Sequence, residues 1–171
     1  PIEHHVKDIS STKATAETID VLNKNIEELN QKLKEADKEI VRLKQVQTLA
    51  AVDIMINKKT TLNKVSVLVE TVENYDSDML KTAASSLTEK LKSGIVFLAS
   101  KNNDKLTFYS KVSDDLVQKG FNAGILVKEA AKITGGGGGG QANAAQAGGK
   151  DISKLNDALE KVKELISSHR S

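Results

Sequence analysis

Hydrophobic positions early in the chain recur with alternating spacings of three and four. Ile19, Leu22, Ile26, Leu29, Leu33, Ala36, Ile40 and Leu43 fall on the a and d positions of a heptad, the period of a helix that buries one seam against another helix. The register weakens at Gln47 and Ala50. About 32 residues at about 1.5 Å each make a rod of roughly 48 Å. Ile at a with Leu at d, as in Ile19/Leu22, Ile26/Leu29 and Ile40/Leu43, favours two parallel strands. Between Ile19 and Ala50 the chain carries six basic and six acidic residues, a mixed surface suited to water and weakly attractive to phosphate. The expectation is a helical, coiled-coil oligomerisation segment over residues 17–58, paired through Ile19, Leu22, Ile26, Leu29, Leu33, Ile40 and Leu43. Packing of the same helix along its own chain is the alternative. Residues 1–16 sustain no period and read as a lead-in or the remnant of an upstream domain.

From about residue 59 the pattern changes. Lys64–Val72 is β-branched and partly alternating, hence a strand. Asp76 or Ser77 can cap a helix whose Leu80, Ala84, Leu87 and Leu91 share one face. Gly94 ends that helix, and Ile95–Ala99 is a short apolar run suited to a buried strand. Turn chemistry at Lys101–Asp104 leads to Leu106–Val112, whose alternation suits a hairpin partner. Ala123, Leu126, Val127, Ala130 and Ile133 outline an amphipathic helix, and Asp151 or Ser153 can cap a last one carrying Leu155, Leu159, Val162 and Ile166. The order predicts an α+β fold: a long coiled-coil-like helix, then a globular domain over residues 59–171. In that domain a small sheet is backed by helices, and a Gly-rich loop joins the last two.

Composition narrows the chemistry. The 171 residues include no Cys, which removes disulfide scaffolds, thiolate catalysis and Cys-rich zinc sites. Lys and Arg number 25 against 23 Asp and Glu, so any basic patch must be local. Aromatics are 3% and Trp is absent, which leaves few platforms for stacking bases. No apolar run approaches the ~18 residues of a membrane span, and no signal-peptide pattern opens the chain. The one Pro is Pro1, with no Met before it, so the chain reads as a cytoplasmic piece of a longer protein.

Eight of the 11 Gly residues lie between Gly135 and Gly149. Six in a row are entropically costly to order, which makes a flexible linker the plain reading. A dinucleotide-binding turn would have to follow a strand, and here a helix precedes the run. A phosphate-binding loop ending in Gly149-Lys150 would need Gly in place of Ala144 and Ser or Thr in place of Asp151. What remains is a bare backbone surface, open to close approach by another backbone and able to aim N–H donors at phosphate. Gly138, Gly139 and Gly140 would form it. Lys128, Lys132 and Lys150 flank it, Gln141, Asn143 and Gln146 add side-chain donors, and the start of the following helix favours an anion.

Lys128-Glu-Ala-Ala-Lys132, the glycine run, Ala145-Gln-Ala-Gly-Gly-Lys-Asp151 and a closing amphipathic helix together resemble the C-terminal part of alanyl-tRNA synthetases, over roughly residues 17–168. The resemblance implies a helical dimerisation segment ahead of a DHH-associated globular domain. It implies a chain that catalyses nothing, self-associates as a homodimer, and contacts the elbow of alanine-specific tRNA, linking charging to editing. ATP, magnesium and zinc would belong to the parent enzyme and no cofactor to this piece. His4, His5 and His169 have no Cys partner and no zinc-site spacing, so no metal ligand is expected. Where the family commonly carries Arg-Pro-Asp-Met after the glycines, this chain has Gln141-Ala-Asn-Ala144, which removes a fixed, fork-shaped phosphate donor. Related DHH phosphoesterases place a His at the position of Gln141.

Two other readings compete. One is the nucleotide-binding half of a DHH-type phosphoesterase, which needs clustered Asp and His for two metals; Asp76/Asp78 and Asp114/Asp115 are better explained as helix caps. The other is a plain oligomerisation module with a polyglycine linker. Residues 51–171 carry 17 basic and 14 acidic groups, so a nucleic-acid partner requires Lys101, Lys105, Lys111, Lys119, Lys128, Lys132 and Lys150 to converge.

Overall fold

The computed structural model describes the backbone of residues 2–169 and the side chains of residue 13 and residues 15–169. Helix α1 runs Ile2–Met55, so the stretch expected as an aperiodic lead-in is already helical from Ile2. The chain forms two compact units, Pro1–Leu43 and Lys44–Ser171. In the first, the heptad positions Ile19, Leu22, Ile26, Leu29, Leu33, Ile40 and Leu43 are all between 50% and 64% exposed.

The second unit begins at Lys44 rather than near residue 59, because the last turns of α1 carry a second apolar face off the heptad seam. Thr48, Val52 and Met55 are buried, and Val52 and Met55 pack with Tyr75, Met79, Leu80 and Leu87. After α1 come β1 (Thr60–Leu62), β2 (Val65–Glu73), α2 (Ser77–Leu91), β3 (Ile95–Asn102) and β4 (Lys105–Val112). Then follow α3 (Asp114–Gln118), α4 (Ala123–Ile133), β5 (Gly137–Gly140), β6 (Ala144–Gly149) and α5 (Leu155–Ser167). The six strands form one sheet in the order β1-β2-β3-β4-β6-β5. β2 and β3 are parallel, joined across α2, and every other pair is antiparallel.

Period-two burial sorts the strands onto two cores. Val67, Ile95, Phe97, Leu106, Phe108, Ala145 and Ala147 face α4 and α5, with the Phe97 and Phe108 rings 5.8 Å apart. Leu68, Val96, Leu98 and Tyr109 face α2 and the end of α1. The hairpin β1–β2 turns through Asn63 (φ 50°) and Lys64 (φ 62°), a two-residue turn whose positive φ values match strand twist.

The largest departure from expectation is the glycine run. It is half of an ordered hairpin, with Gly137 opposite Gly148, Gly138 opposite Ala147, Gly139 opposite Gln146 and Gly140 opposite Ala145. Glycine is depleted in strands because it packs nothing, so the fold must require it. Gly135 (φ 68°) takes the left-handed position just after α4. A Cβ on Gly136 would fall on the Gly148 carbonyl, and one on Gly138 (φ 150°) on the Ala147 Cα. One on Gly140 would lie 2.7 Å from the Ala145 Cα. A Cβ on Gly137 or Gly139 meets nothing within 4 Å. Four of the six are thus needed for strand β5 to lie against β6, and two are not.

We expect Gly138→Ala to cost about 2 kcal/mol or more through strain and overlap, and Gly139→Ala to stay within about 0.5 kcal/mol of the parent, both read by urea unfolding. A second expectation concerns Asp76, which caps α2 by accepting from the Met79 N–H at 2.9 Å and pairs with Lys44 at 2.7 Å. The Lys44 hydrogen bond, then the Met79 amide, hold its carboxyl below the usual aspartate range. A depressed folded pKa contributes stability that is full above the unfolded value of about 3.9 and lost as pH falls through the folded one. Asp76→Ala should cost about 1 kcal/mol at pH 7, and unfolding titrations should show the difference from the parent shrinking as pH drops from 5 toward 3.

Candidate functional site

The residues singled out from sequence lie along one structure, the β5–β6 hairpin and the helix beside it. β5 is the edge of the sheet, and all four of its glycines are exposed. α4 runs along it. A Cβ on Gly124, in the first turn of α4, would lie 2.9 Å from the Gly140 carbonyl, and at the other end the Gly136 N–H donates to the Ala131 carbonyl at 2.8 Å. Lys128 is four residues after Gly124 and three before Ala131, so it shares their flank of the helix and stands over the middle of the glycine strand. It is exposed, and no ion pair holds it among the described residues. Lys128, Gly138, Gly139 and Gly140 are therefore brought together.

The remaining candidates divide between the two ends of the hairpin. Gln141 and Asn143 form its turn, where the Gln141 N–H donates to the Ala144 carbonyl and the Asn143 carbonyl accepts from the Val112 N–H. Lys150 lies past the other end of β6, about 20 Å away at about 3.3 Å per residue. Its N–H and that of Asp151 both donate to the Thr134 carbonyl, which places it beside the end of α4 near Lys132. Lys132 is neutralised by Glu129, whose carboxyl that contact holds below its usual range. Gln146 points away from α4 and donates to the Ser77 hydroxyl at 2.8 Å.

Two expectations for this region are corrected. The helix start after Lys150 is not open to an external anion. Asp151 caps a short 3-10 turn at Ile152–Lys154 that precedes α5, and its carboxylate accepts from the Ser153 hydroxyl and N–H. The Ser153 hydroxyl, then that amide, hold the Asp151 carboxyl below the usual range. The chain thus supplies its own anion where a phosphate was expected. Likewise Asp114 and Asp115 are not caps. Ser113 stands at the N-cap of α3, and Asp115 accepts instead from the Ser93 hydroxyl.

The lysines converge in part. Lys105 follows the register pair Leu106–Gly149 outward, next to Lys150, and Lys101 is paired with Leu106. With Lys132, these lie at one end of the sheet. Lys111, which donates to Ser85 on α2, and Lys119, after α3, lie toward the other. His169 stacks on Phe121 and contacts the Lys119 carbonyl, a packing role for the terminal segment. His4 and His5 lie outside the residues whose side chains are described. One residue that the sequence reading missed is Lys81, exposed on α2 between Ser77 and Ser85; its spacing of four from Ser77, once Ser77 is tied to Gln146, is the only pointer to it.

Comparison with known proteins agrees with this arrangement. A family model described as the DHHA1 domain matches residues 64–168. An alanine–tRNA ligase of Alkaliphilus oremlandii is 43% identical over 82% of this chain and 16% of its own length. That of Natranaerobius thermophilus is 39% identical over 97% of this chain and 19% of its own length. The chain thus spans less than a fifth of the ligases it matches. Among solved structures, the C-Ala domain of Aquifex aeolicus alanyl-tRNA synthetase is 32% identical and superposes with a TM-score of 0.60, covering 64% of this chain and 98% of that domain. On this fold, this glycine hairpin and these likenesses, the chain belongs to the DHHA1 family as a C-terminal region of the alanyl-tRNA synthetases.

Proposed function

We propose that the chain is a non-catalytic module that holds two copies of an alanyl-tRNA synthetase together and grips the elbow of alanine tRNA, joining charging to editing of mischarged tRNA. ATP, magnesium and zinc are assigned to the rest of the parent enzyme, and the cytoplasm is its place of work. No helix among the described residues is long and apolar enough to cross a membrane. The observation that carries the tRNA reading is the status of Gly137 and Gly139. Neither is required to be glycine by its neighbours, yet both lie on an exposed edge strand beside Lys128. A bare backbone that the fold does not demand is explained by a partner that comes close to it. Such a partner is read by shape and phosphate rather than by base edges, as suits a folded RNA surface.

The homodimer reading rests on the exposed seam from Ile19 to Leu43, a stripe of large apolar side chains that water solvates poorly. Its Ile/Leu alternation favours a parallel pair.

The full chain should bind alanine tRNA, with affinity falling as salt rises because lysine–phosphate contacts release counterions. Gly139→Val should weaken that binding without lowering the unfolding midpoint, and equal affinity for an unrelated tRNA would identify shape as the feature read. Binding that is absent at low salt, or unmoved by Gly139→Val, would return the module to oligomerisation alone. Separately, Ile26→Asp with Leu29→Asp should convert dimer to monomer in sedimentation equilibrium, since charge in an a/d seam is buried without a partner.

A further inference from the structure

The sheet is covered unevenly. On one face α4 packs over β4, β6 and β5; on the other, α2 packs over β3 and β4 and meets β6 at its edge, where Ser77 accepts from Gln146. The side chains of β6 and β5 on that second face are Ala144, Gln146, Gly148, Gly137 and Gly139, a low shelf with a polar wall. The wall is the flank of α2. Ser77, Lys81 and Ser85 recur every four residues along it, and its position is fixed at both ends, by Gln146 on Ser77 and by Lys111 on Ser85 at 3.1 Å. Lys81 lies between those two anchors, exposed. Neither Lys81 nor Lys111 is in an ion pair among the described residues.

The charges that face this shelf decide what it suits. Asp78, the nearest carboxylate on α2, lies about 60° further round the helix from Lys81, toward solvent. Asp76 is occupied by Lys44. Beyond Ser85 the shelf opens into a cavity of about 440 Å³ whose lining includes Lys92 and Lys111 together with Glu89, Asp114 and Asp115. The Asp115 carboxyl is held below its usual range by the Ser113 and Ser93 hydroxyls, so it stays ionised. The shelf is thus basic and donor-rich from Gly137 to Lys111 and becomes acidic only at its far end.

We infer that this face of β5 and β6 is a contact strip for a phosphate–ribose backbone, with Lys81 as its cation and Ser77, Ser85 and the outward glycine N–H groups as further donors. Lys128 on the α4 side and Lys81 on the α2 side would then hold the same ligand from opposite faces of the glycine strand. The carboxylates of the cavity stop it from running further, since phosphate beside them is repelled. The inference rests on the reading of the chain as an RNA-binding module and adds a second wall to it.

The test is a salt titration of alanine tRNA binding to the full chain and to Lys81→Ala, Lys128→Ala and Lys90→Ala. Lys90 faces away from the shelf and pairs with Asp53. Removing one lysine that neutralises a phosphate should lower the slope of log affinity against log salt by about 1 and weaken binding several-fold at low salt. Lys81→Ala should show that change, with an unaltered unfolding midpoint, and Lys90→Ala should not. If Lys128→Ala weakens binding and Lys81→Ala keeps the parent slope and affinity, the strip is overturned and the RNA-binding reading stands. If the parent chain binds no tRNA at low salt, both fall together.

Discussion

The globular unit depends on one close approach, that of the glycine strand β5 to β6 and to the start of α4. Along this seam backbone lies against backbone at distances that leave no room for a Cβ on Gly136, Gly138 or Gly140. The same economy recurs where α4 ends, since a Cβ on Gly149 would fall on the Thr134 side chain, whose carbonyl gathers the N–H groups of Lys150 and Asp151. Alanines supply the rest: Ala123, Ala130, Ala131, Ala145 and Ala147 are buried, small enough to bring helix and sheet together. That closeness sets α4, and with it the exposed Lys128, alongside the glycine strand. The apolar area gained per residue is modest here, and the joint is instead held by the backbone ladder between β5 and β6 and by the Gly136 N–H on the Ala131 carbonyl.

The opposite layer works by ordinary means. Leu68, Leu80, Leu87 and Leu98 are fully buried, and the last turns of α1 complete that core with Val52 and Met55. One helix thus carries two apolar faces in succession, an exposed heptad seam up to Leu43 and a buried face from Thr48 onward. The first stays open to solvent, and the second belongs to the domain. A cut at residue 59 would therefore unroof the α2 side of the sheet.

Much of this is legible in the sequence, where large side chains signal period and place. Ile95–Ala99 and the alternation of Leu106, Phe108 and Val112 identify β3 and β4, and Asp76 identifies the start of α2. Legibility fails where the signal is made of small or few residues. β5 has no side chains, and the inward face of β6 is Ala145, Ala147 and Gly149, so neither shows a strand's period. β1 has three residues and its turn uses Asn63 and Lys64 in place of the usual glycine. α3 is five residues long. The domain begins earlier than the pattern predicts because Thr48, Val52 and Met55 sit off the heptad seam and look like its decay. At the site, the glycines and Lys128 stand together in the sequence pattern as they do in the fold, whereas Lys81 belongs to the wall only through tertiary geometry, by way of Ser77 and Gln146.

An edge strand with no side chains has no lysine, proline or bulk with which to turn away a foreign strand, the usual defences of a sheet margin. Its safeguard is brevity. Four residues offer only a couple of outward rungs, too few to template a stray polypeptide, while a rigid, multiply charged visitor anchored by lysines elsewhere needs no more than that. The shortness of the margin thus works against any partner that depends on the rungs alone.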